Sequence, residues 1–144
     1  MARGPALGDA VGLHAFDRSF DASDRIVVVD DILSTAALDE AYRFCLESAI
    51  FSEAKDGYAG AYMEHGFASP LLLRIVEELR VAMPQTLGDL ELSQAWAYAY
   101  AGDDERLGAA TGDDSRSAAG INDHCDPAAF NINLWLTPDE ANLH

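Results

Sequence analysis

Basic residues are scarce in this chain, which has nine Lys and Arg against 25 Asp and Glu and a formal net charge of −16. Proteins that bind nucleic acids neutralise phosphates with clustered Lys and Arg. No cluster of basic residues occurs along the sequence. The composition therefore argues against a nucleic-acid partner.

Long apolar runs are also missing. No stretch approaches the roughly 18 consecutive apolar residues that a membrane-spanning helix needs, and the first residues lack the apolar core of a signal peptide. The two cysteines, Cys45 and Cys125, are too few for a disulfide framework. We expect a cytoplasmic protein with no membrane partner.

The apolar content is sufficient for a folded domain. It makes up 49% of 144 residues, which fits one globular domain better than a disordered chain. Residues 1–24 are rich in Gly, Ala and Asp with little periodicity, and we predict a loose N-terminal lead-in there. Residues 25–144 are predicted to form the ordered domain.

Two helices are predicted from capping residues and apolar spacing. Ser34 or Thr35 caps the first, in which Cys45 is expected to be a buried small hydrophobe. Ser69 and Pro70 open the second in the usual order of cap and then proline. Both helices are expected to buttress a sheet, so the fold class is α+β.

Three segments before residue 102 have the composition of strands. Residues 25–29 are a short β-branched strand, and residues 51–67 are a pair of short strands with turns. In an alternative interpretation of the second segment, a tyrosine there lines a substrate entrance. Residues 90–101 alternate large amphipathic side chains with small ones, and the large face includes Gln94, Trp96, Tyr98 and Tyr100. That face can line a pocket or form an ordinary aromatic core.

The most informative segment is 120–138, GINDHCDPAAFNINLWLTP. His124 and Asp126 lie two residues apart, so in an extended chain both side chains point to one side. An imidazole and a carboxylate suit Fe(II) and form two parts of a facial triad of two histidines and one carboxylate. The same spacing also arises by chance. It becomes more specific here because an alternating strand follows at 130–136.

That strand presents two different faces. Four apolar residues would face the core, while Asn131, Asn133 and Trp135 share the other face, as in pockets that bind small polar ligands. Residues 102–119, an acidic and glycine-containing stretch, are predicted to be either a lid or a disordered insertion.

The segment GINDHCDPAAFNINLWLTPDEANL resembles the HxD region of the iron(II)- and 2-oxoglutarate-dependent oxygenases, especially the bacterial prolyl-4-hydroxylase-like branch. The similarity extends back through QAWAYAYAG at 94–102, GYAGAY at 57–62 and VVVDDILS at 27–34. It therefore covers roughly residues 26–143.

This resemblance implies a double-stranded β-helix in which His124 and Asp126 bind Fe(II). It also implies that 2-oxoglutarate is the cosubstrate, contacted by Tyr98 or Tyr100, and that molecular oxygen hydroxylates a small molecule or a peptide. We assign Asn131 and Asn133 to the same cosubstrate site. Gln94, Trp96 and Trp135 are the candidate substrate-pocket residues.

The family also uses a second, downstream histidine followed by a basic residue that holds the distal carboxylate of 2-oxoglutarate. His144 does not match that pattern, and His65 lies upstream of the motif, where a surface turn is expected. We therefore expect a β-helix that is incomplete at the C-terminus, with an exposed strand edge and a possible homodimer. The alternatives are an inactive oxygenase-like binding module and a cupin-like metal protein that does not use 2-oxoglutarate.

Overall fold

The computed structural model describes residues 4–8, 10–20, 26–55, 58–100 and 126–138. Its contacts divide the chain into two compact units. The helical unit comprises residues 1–47, 69–92 and 135–144, and the sheet unit comprises residues 48–68 and 93–134.

Among its described residues, the helical unit has three α-helices: α1 at Ala10–Ser19, α2 at Thr35–Glu47 and α3 at Pro70–Ala82. Helices α1 and α2 both contact α3. Leu13 of α1, Ala37 of α2 and Leu71, Ile75 and Leu79 of α3 are buried. Helix α3 is therefore the centre of this core.

Both predicted helices begin at the capping residues expected from the sequence. Ser34 Oγ accepts a hydrogen bond from Ala37 N at 3.3 Å at the start of α2. Ser69 Oγ accepts one from Leu72 N at 3.2 Å, with Pro70 in the first turn of α3. Each cap satisfies a backbone N–H that has no partner within its own helix. These two helix predictions are confirmed. Cys45 is half-buried rather than fully buried, and burial raises the pKa of its thiol.

Helix α1 lies inside the stretch for which we expected a loose lead-in, so that expectation does not hold for residues 10–19. The reason is a set of tertiary contacts that the weak periodicity did not reveal. Leu13 is buried, and the Asp17 carboxylate accepts hydrogen bonds from Gln85 N at 3.0 Å and Thr86 N at 2.8 Å.

A second carboxylate, that of Glu78, forms hydrogen bonds with the segment before α1. Glu78 of α3 accepts hydrogen bonds from Ala6 N and Leu7 N, each at 2.9 Å. Leu7 also forms a single antiparallel bridge with Leu33. Ala6 and Leu7 therefore contact α3, and Leu7 also contacts the residues just before α2.

The sheet unit contains β1 at Glu53–Lys55, β2 at Tyr58–Tyr62 and β3 at Trp96–Tyr100, in the order β1-β2-β3. Both pairings are antiparallel, with Glu53 opposite Gly60 and Tyr58 opposite Tyr100. The prediction of two short strands within 51–67 is confirmed. The strand predicted over 90–101 is shorter, because only its last part pairs with β2.

Two other predicted strands are not formed in the described part of the chain. Residues 26–29 and 130–136 are not assigned to any strand, and Arg25 lies outside the described residues. A strand is defined by its partner, so alternation in the sequence is not enough to produce one. The three paired strands form an open sheet, and the incomplete double-stranded β-helix with two buttressing helices stays a prediction.

None of the helices found in the described ranges is long and apolar enough to cross a membrane.

Candidate functional site

One face of the β2–β3 pair is occupied by aromatic side chains. Tyr58, Gly60 and Tyr62 alternate along β2 and therefore share a face. The register sets Tyr100 opposite Tyr58, Tyr98 opposite Gly60, and Trp96 opposite Tyr62. We call Tyr58, Tyr62, Tyr98 and Tyr100 the tyrosine face.

Tyr98 is at the middle of this face. Its ring centroid lies 5.2 Å from that of Tyr58 at an interplanar angle of 82°, and 6.4 Å from that of Tyr62 at 79°. Both are edge-to-face arrangements, which aromatic pairs prefer to direct stacking. The two neighbours thus hold the ring of Tyr98 from both sides.

Gly60 makes this packing possible. A Cβ atom at position 60 would lie 2.8 Å from Cε2 and 2.9 Å from the hydroxyl of Tyr62. The Tyr62 ring therefore occupies the space above the glycine. The absence of a side chain at Gly60 leaves room for that ring on the tyrosine face.

The Tyr98 hydroxyl has an unusual environment. Burial raises its pKa, and Tyr62, Tyr58 and the Asp126 carboxylate raise it further, to about 12. The contribution of Tyr62 includes a side-chain hydrogen bond, and a negative charge on Asp126 disfavours a phenolate nearby. Tyr98 is consequently a neutral phenol at physiological pH and can donate a hydrogen bond.

Asp126 is the one predicted metal ligand that lies in the described residues. It is partly buried, and Asn131 Nδ2 donates a long hydrogen bond of 3.4 Å to its Oδ2. The chain bends just after it, since Ala128 N donates to the Asp126 carbonyl at 2.8 Å. This bend allows Asn131 to reach back to the carboxylate.

His124 lies outside the described residues, as does the 102–119 stretch predicted to be a lid. No group of three His, Cys, Asp or Glu side chains suitable for a metal ion occurs within the described ranges. The structure thus brings together Asp126, Asn131 and Tyr98 from the predicted set, all within the sheet unit.

The other predicted residues are more exposed or lie elsewhere. Trp96 is partly buried and faces Tyr62 in register, while Gln94 and Asn133 are exposed. Tyr100 is 61% exposed, at the open end of the tyrosine face, with its ring 6.0 Å from that of Tyr58. Trp135 is 83% exposed and belongs to the helical unit. Their assignments to cosubstrate and substrate stay predictions.

His65 lies in the surface turn that we expected. It ends a single 3-10 turn at Met63–His65, and its Nδ1 pairs with Glu53 Oε1 at 3.2 Å. Gly66, with a φ of 106°, closes the turn in the left-handed region. The pairing gives His65 a local structural partner.

The sequence of 51–67 allows a tyrosine at a substrate entrance, but Tyr58 and Tyr62 are not among the site residues predicted from it. The signal was present in the alternation of YAGAY and WAYAY, two segments with aromatic residues at every second or fourth position. Pairing the two segments antiparallel puts their aromatic residues on one face.

No protein-family model matches the sequence, and no curated protein or solved structure matches it either.

Proposed function

We propose that this chain is part of an Fe(II)- and 2-oxoglutarate-dependent dioxygenase domain that hydroxylates a small molecule or a peptide residue. The proposal rests on the resemblance of 120–143 and is supported by the placement of three residues chosen from the sequence. Asp126 from the HxD motif accepts a hydrogen bond from Asn131 and lies in the same unit of the structure as Tyr98 of β3. The Asp126 carboxylate is also the smallest of the causes that raise the pKa of Tyr98.

The donor atoms near Asp126 fit the metal in part. A carboxylate oxygen is a suitable ligand for Fe(II), Mn(II) or Co(II). The amide of Asn131 donates to Oδ2, and a hydrogen bond of this kind orients a ligating carboxylate. His124 would provide the second ligand. The remaining ligand is proposed to be a second histidine, as in the resembled family.

The chemistry that iron supplies when bound is oxygen activation coupled to decarboxylation of 2-oxoglutarate. One oxygen atom ends in the hydroxylated product and the other in succinate, with release of carbon dioxide. The contribution of this chain is to hold the metal with open positions and to keep the pocket shaped.

Tyr98 has a definite role in this proposal. Its phenol is neutral, and it would donate its proton to a carboxylate of 2-oxoglutarate in place of the hydrogen bond that it makes with Tyr62. Tyr58 and Tyr62 hold the ring in place through edge contacts. Tyr98 is therefore the better candidate than Tyr100, which is largely exposed.

The experiment measures 2-oxoglutarate binding to the Mn(II)-loaded chain by calorimetry. We expect Tyr98→Phe to weaken this binding by roughly tenfold, the effect of losing one charge-assisted hydrogen bond. Tyr42→Phe, on helix α2, is the matched control and should leave it unchanged. Equal binding by the Tyr98→Phe and Tyr42→Phe variants would remove Tyr98 from the site.

Turnover separates an enzyme from a binding module. Succinate release is expected from a version of the protein that also carries a second histidine and a basic residue for the distal carboxylate. If the chain binds metal but does not bind 2-oxoglutarate, the cupin-like alternative is favoured.

A further inference from the structure

An open groove in the helical unit is lined by the N-terminal segment, helix α1 and helix α3, and we call it the α3 groove. Its volume is about 460 Å³, within the roughly 300–1,000 Å³ of sites that bind small molecules. Its surface is mainly apolar, and the apolar lining residues are Pro5, Leu7, Val81 and Ala82. Val81 is 74% exposed, so a ligand with an apolar part would cover a side chain that now contacts solvent.

Two carboxylates line the same groove. They belong to Glu77 and Glu78, which are adjacent on α3. Among the described residues that line the groove, none is Lys or Arg, and the only further polar side chain is that of His14 on α1. A cleft with charge of one sign and apolar walls concentrates ions of the opposite sign. The groove therefore favours a ligand that combines a positive charge with an apolar surface.

The carboxylate of Glu78 is held in a fixed position. Its Oε1 accepts a hydrogen bond from Ala6 N, and its Oε2 accepts hydrogen bonds from Ala6 N and Leu7 N, all at 2.9 Å. A carboxylate has about four acceptor positions, so Glu78 can accept one more hydrogen bond from a ligand. Because the side chain is already ordered, that bond costs little conformational entropy.

The carboxylate of Glu77 is exposed, and in the described part of the chain no hydrogen bond or ion pair engages it. The two arginines nearest to it along α3 have other partners. Arg74 Nη2 pairs with Glu40 Oε2 at 3.7 Å, and Arg80 Nη2 donates to the Gly88 carbonyl at 2.9 Å. A cationic ligand can therefore pair with Glu77 without displacing either arginine.

We propose that the α3 groove binds a small primary amine with an apolar body. The ammonium group pairs with Glu77 and Glu78, and the hydrocarbon part lies against the apolar wall. An ammonium group has three donors and no acceptor, which suits a site with two carboxylates. The net charge of −16 favours the same class of ligand. None of the groove residues is among those assigned to iron, cosubstrate or substrate, so this proposal is independent of the oxygenase function.

A nuclear magnetic resonance titration of the full chain with n-hexylammonium chloride tests the proposal. It is done at about 0.15 M salt, which screens exposed charges elsewhere on the chain. We expect saturable binding, with the shifts concentrated at the amides of Leu7, Val81 and Ala82. Methylammonium carries the charge without the hydrocarbon, and n-hexanol carries the hydrocarbon without the charge. Each should bind about fivefold more weakly or worse.

A charge reversal locates the ammonium group. Glu77→Lys should weaken n-hexylammonium binding by roughly tenfold, because the new charge repels the ligand. Glu47→Lys is the matched control, since it changes the net charge equally at an exposed side chain of α2 and should have little effect.

Three results would overturn the proposal. The first is that n-hexylammonium does not bind, or shifts only residues outside the groove. The second is that methylammonium or n-hexanol binds as tightly as n-hexylammonium. The third is that Glu77→Lys and Glu47→Lys weaken binding equally, which would mean that the ligand responds only to the net charge of the chain.

Discussion

Helix α3 and strand β3 each present one face of large side chains, but they bury these faces to different extents. Leu71, Ile75 and Leu79 of α3 are each 4% exposed. On β3, Tyr98 is only partly buried and Tyr100 is mostly exposed. The α3 face is therefore core, while the tyrosine face stays partly exposed to solvent. Substitutions on α3 should change stability, and substitutions on the tyrosine face should change ionisation and binding.

The largest effect should come from the α3 core. Leu79→Ala removes a buried side chain and leaves a cavity, which costs about 2–5 kcal/mol in the free energy of unfolding. Leu73→Ala is the matched control on the same helix, at a position that is 49% exposed. It should cost less than about 1 kcal/mol. Urea denaturation measures both, and equal losses would mean that α3 does not bury the face described.

The next largest effect should be a loss of folding stability at acidic pH that depends on Asp17. Burial alone raises the pKa of this carboxyl, but hydrogen bonds from Gln85 and Thr86 outweigh burial, so the net pKa lies below 3.8. A lowered folded-state pKa contributes stability above the unfolded value, and that stability is lost as pH falls through the folded value. We expect the wild type to lose stability below about pH 4.

Asp17→Asn should make stability less dependent on pH in this range, whereas Asp89→Asn, at an exposed position, should not. Thermal melts between neutral pH and pH 2 would measure this. If Asp17→Asn keeps the full acid dependence, other carboxylates are responsible.

A smaller effect is expected for Tyr98 at high pH. Its pKa in the folded state, about 12, exceeds the ordinary value of 10. Because the folded pKa is raised, the stability from Tyr98 is complete below pH 10 and is lost as pH rises towards 12. Phenolate absorbance during an alkaline titration should show one group ionising near pH 12, and Tyr98→Phe should remove it. If Tyr42→Phe removes the same step, the assignment to Tyr98 is wrong.

The smallest change in stability is expected from Gly60→Ala. The new Cβ would meet the Tyr62 ring at 2.8 Å, and that ring is the far end of a rotatable side chain that can move. We expect a loss below about 1 kcal/mol together with a changed near-ultraviolet circular dichroism of the tyrosines. Gly4→Ala, which meets no atom within 4 Å, should change neither.

Helices α2 and α3 could be predicted from the sequence because their signals are local. A serine followed by a proline places α3 without knowledge of any other segment. Helix α1 was missed because its order depends on contacts of Leu13 and Asp17 with other segments. The strands predicted at 25–29 and 130–136 are not assigned at residues 26–29 and 130–136, because each strand needs a partner that periodicity cannot identify. The proximity of Tyr98 to Asp126 likewise depends on how separate segments meet, so only the residue types could be predicted.

The central claim is that Asp126 and His124 together bind a divalent metal beside Tyr98. Calorimetric titration of the chain with Mn(II) tests it most directly. We predict weak binding that is lost in both His124→Ala and Asp126→Ala and is unchanged in Asp89→Ala, an exposed aspartate elsewhere in the chain. Mn(II) affinity that survives in His124→Ala or Asp126→Ala would contradict the metal site and, with it, the proposed oxygenase function.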